Sequence, residues 1–176
     1  MSFSNILFIS IIFFFWSLPM TAQTNAVKQL EDKITKQNDV QNYEASIQLI
    51  SDFINNPEHT AYEKFYAYIF KSNTYKCLFN YEECLRNLDL ALEEGLKSDK
   101  KDEVKNYIKA EKAFVYFDTH KYKKASELMQ DLSASNYKYL DSDSKAWIIM
   151  QEGYLLYMNK KYAAADKKYD LSLALI

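Results

Sequence analysis

The chain has 176 residues, 48% of them hydrophobic and 26% charged, a balance that suits one ordinary folded domain and excludes a wholly disordered one. Two glycines and two prolines leave little of the turn chemistry that β-hairpins or glycine-rich phosphate cradles demand. The 22 basic residues against 24 acidic ones, a formal charge of −2, include no dense basic run, so direct nucleic-acid binding is not expected.

The first 23 residues differ from the rest. Ile6 to Leu18 is an unbroken run of apolar residues and serines, Pro19 to Gln23 follow with small and helix-breaking chemistry, and the first charged side chain is Lys28. That is the layout of a signal peptide processed near Ala22 to Gln23, which implies export to the periplasm or cell envelope. Because no Lys or Arg precedes the run, an uncleaved N-terminal anchor is the alternative. It is also the only membrane contact the sequence offers.

From Ala26 onward the chain repeats itself. One phrase recurs around Tyr43, Tyr81, Tyr122 and Tyr162, at separations of 38, 41 and 40 residues. A fixed period of 20 to 50 residues marks units that bury their apolar faces against their neighbours. After each tyrosine the offsets +3, +7 and +10 carry small or apolar residues on one helical face, as in Cys84, Leu88 and Ala91, or Ala125, Met129 and Leu132. Nine residues before a tyrosine stand Ser72, Ala113 and Gly153, small enough for two helices to approach closely.

These patterns predict helices at 25–38, 41–55, 61–78, 81–95, 101–118, 121–132, 142–159 and 162–175. Thr60 and Glu63 read as a capping box and Gly95 as the residue that closes a helix. Further helix starts are expected within Ser98 to Asp102 and at Asp141 to Ser144. The expected fold is therefore all-α, an α-solenoid of about four antiparallel helix hairpins with units at 26–56, 61–97, 101–134 and 142–176. Cys77 and Cys84, seven apart, read either as a disulfide in an oxidising compartment or as small buried hydrophobes, the commoner use of two isolated cysteines.

The units resemble tetratricopeptide repeats, whose consensus places a small residue at position 8, an aromatic at 11, tyrosine near 17, alanine at 20, an apolar residue at 24 and alanine at 27. Counted from Phe65 these are Ser72, Tyr75, Tyr81, Cys84, Leu88 and Ala91; the next unit supplies Ala113, Tyr116, Tyr122, Ala125, Met129 and Leu132. The last supplies Gly153, Leu156, Tyr162, Ala165, Tyr169 and Ser172, while the first fits poorly, with Ile34 and Gln37 at its leading places. The period departs from the family's usual 34, and its terminal proline is missing from every unit.

The resemblance implies a superhelix whose concave groove holds a peptide or protein segment. Positions 2, 5, 9 and 12 of each unit's first helix line that groove in the family. Here they are Tyr66, Ile69, Asn73 and Lys76, then Tyr107, Ala110, Phe114 and Phe117, then Trp147, Met150, Tyr154 and Tyr157. Such aromatic side chains suit partner binding, and they equally suit packing against neighbouring helices. Similar arrays also precede the membrane helix and DNA-binding module of AraC- or LuxR-type regulators, so the sensory part of such a regulator is the alternative reading.

No HExxH, GxSxG, GxxxxGK or CxxC motif occurs, and His59 and His120 each stand alone near a turn. No enzyme activity, catalytic residue, cofactor or metal is expected. The last helix ends in Leu171, Leu173, Leu175 and Ile176 without a polar cap. A continued array, or a partner or second subunit covering that helix, is the expectation there.

Overall fold

A computed structural model describes residues 24–176. The expected signal segment and its processing point lie outside the described residues. Eight helices and no strand form among those described: α1 (Asn25–Asp39), α2 (Tyr43–Asn55), α3 (Ala61–Cys77), α4 (Tyr81–Gly95), α5 (Lys101–Asp118), α6 (Tyr122–Ala134), α7 (Ser142–Met158) and α8 (Tyr162–Leu173). Their ends fall within two residues of those read from the apolar spacing. Each helix packs on the next in sequence, α1 also touches α3, and α5 touches α7.

Side chains that compete for backbone amides set most of the starts. Thr24, Asn42, Thr60, Asn80 and Asp141 each accept from an amide three residues on, and Thr60 with Glu63 forms the expected reciprocal box. At the start of α5 the expectation fails in part. Lys100 is the cap and makes no side-chain bond, while Ser98 Oγ takes the Lys100 amide at 3.2 Å.

The links inside each pair are nearly identical. Gln41, Phe79, His120 and Lys160, each two residues before a repeat tyrosine, adopt φ of 58°, 56°, 58° and 59°. Each amide returns to the carbonyl three back, and the next amide reaches five back, as in Phe79 to Lys76 at 3.0 Å and Asn80 to Tyr75 at 2.9 Å. This is the Schellman closure, which satisfies the last carbonyls of one helix while the following residue begins the next. A left-handed non-glycine residue costs roughly 1–2 kcal/mol, so four such closures are a standing cost that the pair packing must offset.

Gly95 corrects the sequence reading. No glycine has positive φ, and Gly95 is the last residue of α4 instead of a left-handed cap. Its smallness serves close approach, since a Cβ there would lie 2.6 and 2.8 Å from the two Val104 methyls and 2.9 Å from Phe65. Alanine normally gains about 1 kcal/mol over glycine within a helix. At this site Gly95→Ala should instead destabilise by about 1–3 kcal/mol, because a branched valine cannot swing aside. Urea unfolding measures the difference, and a stabilised variant would show that Val104 yields.

Two apolar clusters share α5. Val27, Ile34, Ile50, Phe65, Leu88 and Val104 lie in the first, and Ala113, Phe114, Met129, Leu132, Ile148 and Ile149 in the second. Within pairs the small positions are crossing points: Ser72 Oγ donates to the Cys84 carbonyl at 3.0 Å, and Ser172 Oγ to that of Ala146 at 2.7 Å. Cys84 is buried and Cys77 exposed, both as free thiols, so no disulfide joins them. Burial pushes the Cys84 thiol up to about 11, which makes it an inert core group.

Candidate partner-binding surface

The residues assigned to a groove do not share one environment. Tyr66, Ile69, Tyr107 and Phe114 are buried, so they correct the expectation of an open lining along its whole length. The reason is neighbour packing. The α1 helix lies against α3, Phe65 meets Tyr107 edge-on at 6.0 Å, and Phe114 is edge-on to Trp147 at 4.2 Å. The Tyr107 hydroxyl is coupled to the buried Glu111, whose carboxyl burial pushes above the usual range.

Asn73, Phe117 and Trp147 are half-buried. Met150, Tyr154 and Tyr157 are exposed at 38%, 36% and 53%. Their spacing of four and three residues puts them in one stripe along α7. Only this last third of the expected lining is open to a ligand.

Around the stripe the structure assembles an aromatic chain that the repeat register did not predict. Phe117 stands edge-on to Tyr154 at 5.6 Å and to Tyr122 at 5.3 Å, and Tyr157 meets Tyr162 at 5.3 Å. Tyr122 also pairs with Nδ1 of His120 at 2.8 Å. Partial burial, with the neighbouring Tyr154 hydroxyl, pushes the Tyr122 phenol upward, so it stays protonated and able to donate. Tyr122 and Tyr162 were legible only as repeat markers. Their place at the first residue of α6 and α8, directly across the turn from the aromatic ends of α5 and α7, is the signal that could have found them.

Beside the stripe, α6 and α7 part to leave a cleft of about 430 Å³ lined by Ser126, Gln130, Glu152, Leu155, Asn159 and Lys168. Glu152 is not free to act there, because Lys168 and the Tyr137 hydroxyl, the latter at 3.1 Å, both bind it. Chemically the surface offers ring faces, phenol hydroxyls and thioether tips, which give large contact area at low entropic cost. No three His, Cys, Asp or Glu side chains gather as a metal site among the described residues. No helix among them is long and apolar enough to cross a membrane. Compared with known proteins, the chain matches no protein family and no curated protein sequence.

Proposed function

We propose that this chain is a non-enzymatic interaction module, a tetratricopeptide-like α-solenoid of four hairpins that holds a peptide or protein segment on the aromatic stripe of α7. Support for the solenoid comes from the turn that recurs at 38, 41 and 40 residues with the same hydrogen bonds. The observation that carries the binding role is the exposure of Met150, Tyr154 and Tyr157 in register with residues that are buried or half-buried in the preceding units. Where α5 uses Phe114 and Phe117 to take up Trp147 of α7, the equivalent Tyr154 and Tyr157 of α7 lie open. A surface built to receive an apolar element suits an extended or helical apolar segment of a partner. The apolar run from Ile6 to Leu18, read as a signal peptide, supports a role outside the cytoplasm.

Tyr154→Ala with Tyr157→Ala should cut capture of envelope proteins by the immobilised chain at least roughly tenfold, the loss of two aromatic anchors. Helical circular dichroism should be unchanged, because both side chains sit at the surface. Mass spectrometry of the captured fraction reads the result. The same proteins bound at the same level to both forms would remove the stripe from the argument.

A further inference from the structure

The four links inside the helix pairs lie at one end of the molecule, because each pair doubles back through the same turn and consecutive pairs pack side by side. Neighbouring turns are in reach of one another: Lys76 of α3 binds Asp118 of α5 at 3.1 Å, and Phe117 of α5 meets Tyr154 of α7. Together they form an edge.

Charge along that edge is divided in two. From four residues before each repeat tyrosine to two after it, the first two turns each carry net −2, through Asp39 and Glu44, then Glu82 and Glu83. The last two each carry net +2, through Lys121, Lys123 and Lys124 set against Asp118, then Lys160 and Lys161, leaving His120 out of the count. Arg86 ties Glu83, and Lys76 ties Asp118. The others make no ion pair among the described residues, so this charge is not neutralised inside the molecule.

The basic half comes at a cost to the fold. Helices α2 and α4 begin on asparagine caps with Glu44, Glu82 and Glu83 in their first turns, where the positive end of a helix favours acids. Helices α6 and α8 begin on Lys121 and Lys161, neither of which caps, and the first turn of α6 carries Lys123 and Lys124. Neither start has a side-chain cap or an acidic residue in its first turn to offset this choice. On the same edge large apolar side chains stand open in both halves, among them Val40 and Phe79 in the acidic half and Met158 and Tyr162 in the basic half.

We infer that this edge pairs with a second copy of the chain about a two-fold axis passing between the second and third turns. Such an axis lays each acidic half on the partner's basic half, with Val40 opposite Met158 and Tyr162 of the other copy and Phe79 opposite its His120 and Tyr122, which is the self-complementarity a two-fold interface requires. A foreign acidic partner would use the basic half alone and leave Val40, Phe79 and three free carboxylates without a role. Four pairs spaced at about 10 Å and two helices deep give a footprint on the order of 700 Å² per copy, close to that of a standard interface. Met150 lies outside the pairing and Tyr154 and Tyr157 lie at its margin beside Tyr122 and Tyr162, and the charge changes below alter none of the three, so the pairing is tested apart from the proposed capture of a partner segment.

Sedimentation velocity of the full chain at low salt tests the pairing. A dimer is expected at tens of micromolar, with its dissociation constant raised tenfold or more by half-molar salt. Lys121→Glu with Lys123→Glu takes the third turn from net +2 to net −2, which sets it against the acidic second turn of the other copy, and should give a monomer, without harming α6, whose start gains acids. Glu44→Lys with Glu82→Lys takes each of the first two turns from net −2 to zero, which leaves the basic half nothing to attract, and should also give a monomer. Mixing the two variants in equal amounts should restore a dimer of one copy of each. A wild-type monomer throughout this range, a dimer indifferent to both reversals, or a monomer that binds polyglutamate through its lysines would each overturn the inference. Should either variant misfold, the salt response of the wild type still decides.

Discussion

Leu132→Ala is expected to unfold the second half of the chain ahead of the first. Leu132 is fully buried in the cluster built from α5, α6 and α7, and removing a leucine side chain from such a site costs about 3 kcal/mol including the cavity it leaves. That loss falls on the weaker part of the molecule. The α6–α7 junction is open enough to hold the cleft beside Glu152, and among the described helices α5 is the one that both apolar clusters draw on. A repeat-like chain whose units touch only their neighbours need not unfold as one cooperative block.

Trp147 makes the difference measurable, because it packs against the second cluster. With Trp16→Phe as background, Trp147 fluorescence should change at lower urea than helical dichroism in Leu132→Ala. Leu88→Ala, equally buried in the first cluster, should reverse the order, with dichroism leading. Coincident transitions in both variants would mean a single cooperative unit, and the two-cluster description would fail.

Helix placement was legible because every unit obeys the same 3.6-residue rule. Cys84, Leu88 and Ala91, or Ala125, Met129 and Leu132, are all buried where the offsets from a tyrosine put them. The turns were not legible. A chain with two glycines gives no left-handed signal, yet Gln41, Phe79, His120 and Lys160 all adopt that conformation, since unmet helix-end carbonyls cost more than the local strain. Gly95 misled for the complementary reason: periodicity sees one helix and not the valine of the next.

The candidate site was half legible by the same logic. Register assigned one role to Tyr66, Tyr107 and Trp147, but burial depends on what lies over each. The α1 helix covers α3, and α7 closes over Phe114, while Met150, Tyr154 and Tyr157 keep a third to a half of their surface open. Neighbour context of that kind is absent from any single repeat. The capping box, by contrast, was fully readable, and it has a further duty that spacing could not reveal.

Glu63→Ala should loosen α1 from α3, costing about 2–3 kcal/mol at neutral pH through a lost cap and lost hydrogen bonds to a charged group. The buried Glu63 carboxylate accepts from the Thr60 amide at 2.8 Å, from Thr60 Oγ1 at 3.0 Å and from Thr24 Oγ1 at 2.6 Å. Thr24 is itself the cap of α1, so one carboxylate fastens the starts of α1 and α3 together. Burial alone would raise its pKa, but these hydrogen bonds and His59 at 3.8 Å prevail and hold it below the ordinary value of 4.5. A depressed folded value means the unfolded chain takes up the proton first. The stabilisation is therefore complete above about pH 4.5 and lost as pH falls through the lower folded value. The stability gap between wild type and Glu63→Ala should accordingly narrow between pH 7 and pH 3 in urea titrations, while amide exchange in α1 rises in the variant at both. An equal gap at the two pH values would show that Glu63 acts through packing and not through its charge.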